Sequence, residues 1–251
     1  MKITVITVTY NSEEFLEDCL NSVKNQDYNF VEHIVIDGGS TDGTLSKLKL
    51  KQNQFKVIVS EPDNGVYDAM NKGIRLATGD VICFLNSDDF YLSDKILSKV
   101  AKIFKENSDL DSCYADIVYS DRKNTSMISR YWKSSTFKPG SFSKSWSPPH
   151  QTFFVRSSIY KNLGGFDLNY PLAADNDLMM RFLEVNGIKS IHIPEYWVNM
   201  RLGGISNKNL KNIIKQNLEI INALRKNGLS SNPLIFFTYK FISRLKQYLR
   251  R

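Results

Sequence analysis

Val81-Ile82-Cys83-Phe84-Leu85-Asn86-Ser87-Asp88-Asp89 opens with five apolar residues and closes on two adjacent carboxylates. The run is too short for an independent helix and follows Gly79-Asp80, so it reads as a buried parallel strand. Ligands of open α/β sheets bind beyond the carboxyl ends of the strands, and that is where Asp88 and Asp89 emerge. Such a pair suits a hard divalent cation, Mn2+ or Mg2+, that in turn holds a substrate diphosphate. Ser-Asp-Asp is equally ordinary turn and helix-cap chemistry, so its surroundings must decide.

Working outward, residues 3–9 form a β-branched run that changes period at Tyr10-Asn11-Ser12, which predicts a strand and then a helix. Asn11 with Glu14 resembles a capping box for that helix. Ile34-Val35-Ile36 predicts a second strand ending in Asp37-Gly38-Gly39-Ser40-Thr41-Asp42-Gly43, a tight polar loop. Val57-Ile58-Val59 predicts a third, followed by Glu61-Pro62-Asp63-Asn64-Gly65 and a helix from about Tyr67 to Ala77. Strands alternating with helices over short connections imply right-handed crossovers and a mostly parallel sheet over the first hundred or so residues. Asp37, Asp88 and Asp89, with Asp63 and Asp68 nearby, then converge on one sheet edge, a concentration of negative charge that calls for a cation or basic partners.

Composition sets the outer bounds. The chain has 251 residues, 42% of them hydrophobic, enough for a substantial core. Cys19, Cys83 and Cys113 lie far apart in apolar surroundings, as expected of reduced core thiols in a cytosolic setting. No leader is expected before the first strand, and no apolar run is long enough to span a bilayer. A net charge of +7 suits nucleic acid, an anionic membrane or a polyphosphate substrate. Clustered cations with aromatics occur only in the tail, which argues against a nucleic-acid groove.

Beyond Asp111 the pattern loosens. A strand is expected over residues 112–119, a turn at Asp121-Arg122-Lys123-Asn124 and a proline-bearing loop over 133–149, a common setting for a lid or an acceptor surface. Regular structure resumes at 152–155, in a helix over 175–185 and in short strands near Ile191 and Val198. Residues 208–227 form an amphipathic helical segment. After Pro233 the chain carries many aromatic and aliphatic residues, five cations and no acid. That composition suits an interfacial helix on an anionic membrane. A helix docked on its own domain and a homodimer contact are the other readings.

Ile6-Thr7-Val8-Thr9-Tyr10-Asn11, the segment from Val35 to Thr44 and Ser87-Asp88-Asp89 together resemble the family 2 glycosyltransferases of GT-A fold, over about the first two hundred residues. The resemblance extends to bacterial surface-polysaccharide enzymes of the colanic-acid type. It implies an α/β fold with a Rossmann-like nucleotide-binding half, residues 1–110, and an acceptor half, 111–207. A C-terminal helical extension, 208–251, would follow. It also implies a cytoplasmic enzyme, peripheral on the inner membrane face, that moves a sugar from a nucleotide-diphosphate donor, typically a UDP-sugar, to a hydroxyl of a glycan or lipid-linked acceptor with inversion.

Under this resemblance Thr9, Tyr10 and Asn11 line the nucleotide pocket, Asp37 accepts from the nucleobase, and Asn86, Ser87 and Asp88 face the donor, with Asp88 on the metal. The family's Asp-x-Asp has Asn86 in its first position here. Met70 stands where many relatives carry Arg, leaving Asp68 and Lys72 as candidate donor contacts. Inverting transfer needs a base for the attacking hydroxyl. Ala173-Ala174-Asp175-Asn176-Asp177 resembles the family stretch ending Glu-Asp-x-Asp, with Asp175 as the base, Asp177 as the second candidate and Ala174 in place of Glu. Asp175 also sits where a helix cap would, and both roles are compatible. Arg201-Leu202-Gly203-Gly204-Ile205-Ser206 has the composition of a segment closing over the diphosphate, or of a plain turn. His150 is expected on the acceptor side, or bonded to a carbonyl. His33 and His192 are read as structural. Asn86, Met70 and Ala174 motivate a rival reading, a catalytically silent nucleotide-sugar or membrane-binding module. A sugar nucleotidyltransferase is disfavoured, because the loop after the first strand is acidic rather than glycine-rich and basic.

Overall fold

The computed structural model describes residues 1–203, 209–230 and 232–249. Four strands, β1 (Ile3–Thr9), β2 (Val31–Asp37), β3 (Val57–Ser60) and β4 (Val81–Phe84), pair in parallel in the order β3-β2-β1-β4. Ile6 lies between Ile34 on one side and Phe84 on the other. β1 is buried along its whole length, as a strand covered on both faces must be. Alternate residues feed two separate cores. Ile6, Val8, Ile34, Ile36, Ile82 and Phe84 pack beneath α3 (Val66–Leu76), while Ile3, Val5, Val81 and Cys83 pack beneath α1 (Leu16–Lys24) and α4 (Ile96–Glu106). A shorter helix, α2 (Thr44–Leu50), lies between β2 and β3 in the chain and places Leu48 against Leu16, Leu20 and Val35.

The second half extends the same sheet as β4-β8-β6-β9-β5, where β5 is Phe90–Tyr91, β6 Ser112–Ser120, β8 Phe154–Arg156 and β9 Ser190–Arg201. β8 runs antiparallel to both neighbours, β6 and β9 are parallel, and β7 (Ile128–Trp132) forms a hairpin with β6. The hairpin turn lies where the sequence places it, with Asp121 Oδ1 accepting from the amides of Lys123 and Asn124. Two expectations change. The short strands near Ile191 and Val198 are one strand, whose register against β6 jumps across Pro194 and Glu195 because proline cannot donate to a ladder. Asn11 does not cap α1, which starts at Leu16 on backbone bonds to the Ser12 carbonyl. Instead Asn11 adopts φ 47° and its Oδ1 accepts from the Thr41 amide at 2.9 Å, pinning the β1 loop to the β2 loop.

Helix α5 (Ser157–Leu163) follows β8, and α6 (Ala174–Met180) continues into a π-helical turn over Arg181–Val185. Helices α7 (Leu210–Lys226) and α8 (Pro233–Leu249) complete the chain. Ile220, Ile221, Ala223 and Leu224 of α7 and Phe236 of α8 join the same core cluster as α3 and α6. Polar contacts fasten α7 further: Glu219 Oε2 accepts from the Leu172 amide at 2.8 Å, and Lys226 pairs with Asp167 at 2.6 Å. All three cysteines are free and buried.

Candidate active site

The carboxyl ends of β1, β2 and β4 are adjacent, so the loops that follow them share one rim. Asp37 is fully buried at the end of β2. Its Oδ1 accepts from Ser40 Oγ at 2.5 Å, and its Oδ2 from Ser60 Oγ at 2.6 Å, Ser40 N at 3.0 Å and Gly39 N at 3.2 Å. Four protein donors, three on Oδ2 and one on Oδ1, hold this buried carboxylate, so a nucleobase donor would have to reach the remaining lone pair of Oδ1. In this state Asp37 organises the loop. Gly39, at φ +82°, makes the turn that aims its amide back at Asp37, and a Cβ on Gly38 would meet Asp63 Oδ2 at 2.4 Å, so Asp63 closes over the same loop. Two polar atoms on this rim are buried without a partner, Thr9 Oγ1 and Asn86 Oδ1. Such groups are uncommon in native folds and point to a ligand or water. Tyr10, 62% exposed, offers its ring to solvent beside them.

Asp88 and Asp89 have diverged in role. Asp89 is 1% exposed, accepts from Arg201 N at 3.2 Å and from Gln151 Nε2 at 3.4 Å, and burial beside Asp88 raises its pKa well above the carboxylate range. Asp88 is the accessible member, its side chain 26% exposed and its Oδ2 3.5 Å from Arg122 Nη1. Ser87 donates to Ser12 Oγ at 2.8 Å, fastening the turn to the β1 loop. Among the described residues no group of three or more His, Cys, Asp or Glu clusters as a metal cage. One accessible hard carboxylate with an unpartnered amide oxygen two residues away still fits Mg2+ or Mn2+, which take most of their ligands from substrate phosphates and water.

Arg201 departs from the role expected for it. It is buried, donates from Nε to the Arg122 carbonyl at 3.1 Å and from Nη1 to the Asp88 carbonyl at 2.5 Å, and pairs through Nη2 with Asp18. Its guanidinium braces the Asp88 turn rather than standing free for a diphosphate. The half-exposed guanidinium beside Asp88 belongs to Arg122, stacked 4.4 Å from the Phe15 ring centre. Nothing in the sequence singled Arg122 out, since it lies in a hairpin turn of ordinary composition. Gly204, Ile205 and Ser206 of the expected closing segment lie outside the described residues.

Lys72 pairs with Glu61 at 2.8 Å and donates to the Pro62 carbonyl at 3.0 Å, and Asp68 accepts from the Asn64 amide at 3.0 Å. Both therefore shape the connection between β3 and α3, and neither touches the Asp88 turn through these bonds.

Asp175 is in the first turn of α6, with its side chain 14% exposed. Its Oδ1 accepts from Tyr67 Oη at 2.9 Å and from Asn176 Nδ2 at 3.2 Å, while Oδ2 lies 3.4 Å from His150 Nδ1. Burial lowers the His150 pKa despite Asp175, which leaves the imidazole neutral near pH 7. Tyr67 is stacked on Phe166, and burial next to Asp175 raises its pKa well above the usual phenol value, so it stays a donor. The sequence reading missed Tyr67, which is 108 residues from its partner. Asp177 faces elsewhere: 1% exposed, it pairs with Arg181 at 2.8 Å and accepts from Asn227 at 3.1 Å, joining α6 to α7. That corrects its candidacy as a base, because an acceptor hydroxyl could not reach it.

The arrangement defines a class first: an α/β sheet with an accessible carboxylate at a strand end and a second, oriented carboxylate across the rim. The chain belongs to glycosyl transferase family 2, whose model matches residues 4–163, and it is a glycosyltransferase. It is 29% identical over 217 residues to a PGL/p-HBAD biosynthesis glycosyltransferase of Mycobacterium bovis, covering 81% of this chain and 78% of that one. Its fold is that of Staphylococcus aureus TarS residues 1–349 in complex with UDP, at TM-score 0.67 and 19% identity, over 92% of this chain and 68% of that one. The Pyrobaculum calidifontis mannosyltransferase PcManGT, in complex with GDP-Man and Mn2+, matches at TM-score 0.66 and 20% identity, over 99% of this chain and 69% of that one. The GT-A expectation of a largely parallel sheet flanked by helices holds.

Proposed function

We propose that the chain is an inverting, metal-assisted glycosyltransferase that moves a sugar from a nucleotide-diphosphate donor to a hydroxyl of a surface glycan or lipid-linked acceptor, with Asp175 as general base. One observation carries this reading: the consecutive residues His150 and Gln151 contact Asp175 and Asp89 respectively, so a single turn links the proposed base to the turn that carries Asp88. The donor fits against Thr9, Tyr10, Asn11 and the loop held by Asp37, with its diphosphate towards Asn86, Ser87 and Asp88. Asp88 would hold the cation, which when bound offsets the charge that accumulates on the leaving diphosphate. Arg122 is positioned to add to that neutralisation, and Arg201 to keep the turn in place.

On the acceptor side Tyr67 and Asn176 occupy Oδ1 of Asp175 and fix the rotamer. Oδ2 is left to accept the proton of the attacking hydroxyl, with neutral His150 beside it to orient that hydroxyl. The proton passes to Asp175 as the new glycosidic bond forms and the nucleotide leaves from the opposite face. Structures of the same fold in complex with UDP and with GDP-Man support UDP-sugars and GDP-sugars as the first donors to test. The exposed apolar and basic tail fits attachment to an anionic membrane face, and the described helices are not long and apolar enough to cross one.

The test is calorimetric titration with UDP and with GDP, with and without Mn2+, on the wild type, Asp88→Ala and Asp175→Asn. Metal-dependent binding should vanish in Asp88→Ala and persist in Asp175→Asn, while transfer falls by roughly 10²–10⁴-fold in the latter. Turnover of Asp175→Asn at the wild-type rate would remove the base assignment.

A further inference from the structure

A cleft of about 560 Å³ begins at Asp175, His150 and Gln151 and runs away from the nucleotide rim to α8, which forms its far wall. Two features of its lining are unexpected for a neutral sugar site. Lys133, Lys144, Lys240 and Arg244 all line it, against a single carboxylate, Asp175 at its inner end. Among the described residues none of these four cations has an ion-pair partner: Lys240 donates to Asn217 Oδ1, and Lys144 lies 5.8 Å from the Tyr239 ring centre. Burial draws the Lys240 pKa down to about 8, so its proton is held at a cost that an anion in the cleft would relieve.

The two faces of α8 differ. Phe236, Lys240, Arg244 and Gln247, three or four residues apart, line the cleft. Leu234, Phe237, Phe241 and Leu245, also three or four apart, are 80%, 45%, 67% and 43% exposed and form an apolar stripe. An occupant that satisfies both has a negative charge inside the cleft and a hydrocarbon portion outside it.

We propose that the acceptor is a lipid-borne phosphate: its sugar end sits at Asp175, its phosphate between Lys240 and Arg244, and its chain leaves over the stripe of α8. This rests on the reading of Asp175 as the base, and it adds the residues that select the acceptor. A phosphate fits two cations one helical turn apart, and Trp132 and Trp146 in the cleft lining offer faces for a sugar.

Those tryptophans supply a readout independent of the transferred sugar. Fluorescence titrations of the full chain with decyl phosphate, octyl glucoside and inorganic phosphate, each below any micellar concentration, separate charge from chain. Decyl phosphate should bind at least tenfold more tightly than either of the others. Lys240→Met with Arg244→Gln should weaken decyl phosphate at least tenfold while leaving octyl glucoside binding and UDP binding unchanged and the protein cooperatively folded. Phe241→Ser should weaken decyl phosphate but not inorganic phosphate. Equal binding of octyl glucoside and decyl phosphate overturns the anion assignment, as does a double variant that binds decyl phosphate normally. Inorganic phosphate binding as tightly as decyl phosphate overturns the lipid assignment. Failure of the wild type to bind either UDP or GDP would instead count against the proposed donor site and not against the cleft.

Discussion

At the scale of single residues, the fold spends several polar side chains on holding loops so that few are left facing the rim. Asp37, Arg201 and Glu32 are buried and bonded, while Asp88, Arg122 and Asp175 keep part of their surface open. His33 shows what such burial implies for stability. It is buried in β2, bonded to Thr7 Oγ1 at 3.0 Å and packed edge-on to Phe55, and burial drives its pKa down to about 3. Between about pH 6.5 and 3 the unfolded chain therefore binds a proton that the folded chain refuses, so this residue removes stability as pH falls through that window. The loss approaches about 1.4 kcal/mol per pH unit once well below 6.5. Urea unfolding of wild type and His33→Gln at pH 6.5 and 5.5 should show the wild type losing about 1 kcal/mol more than the variant. Parallel curves for the two proteins would mean that His33 titrates normally.

At the scale of elements, what the sequence made legible was whatever is written locally. The strands at β1, β2, β3 and β4 and the acids that follow them are short-range patterns, and they fall as expected. Contacts across the chain were not legible. Tyr67 and Asp175, or Arg201 and Asp18, meet only because elements from distant segments, helices α3 and α6 in one case and strand β9 and helix α1 in the other, are brought together by the fold, and no spacing rule connects them. β9 was obscured for a different reason, since Pro194 breaks the alternation without ending the strand. The approach of α3 to β1 was also silent, although it depends on one residue. A Cβ on Gly73 would meet Ile6 Cγ2 at 2.4 Å, and Ile6 is fixed between its neighbours in the sheet. Gly73→Ala should thus destabilise the fold by about 1–3 kcal/mol, even though alanine is the better helix former, because overpacking outweighs propensity. A chemical denaturation midpoint at or above that of the wild type would show that α3 can move away without cost. Such a shift would also disturb Tyr67, on the same helix.

At the scale of the whole molecule, the sequence of the tail admits a membrane, its own domain or a second copy as partner, and its helix docks on its own domain by one face and exposes apolar side chains on another. Phe236 is 1% exposed within the main core, so α8 is anchored to its own domain. Phe241, one and a half turns on, is 67% exposed with no role in that core. The two aromatics should therefore respond oppositely to substitution. Phe236→Ala removes a buried ring and should cost about 3–5 kcal/mol, read as a lowered denaturation midpoint. Phe241→Ser should change stability by no more than about 0.5 kcal/mol. Sedimentation with vesicles should separate them in the other direction. The wild type is expected to co-sediment with anionic vesicles and not with zwitterionic ones, because the cations and the apolar stripe must act together. Phe241→Ser should lose most of that binding, whereas Phe236→Ala, assayed at a temperature where it remains folded, should retain it. If both variants sediment as the wild type does, the stripe is not a membrane contact, and the acceptor cleft would have to be approached from solution.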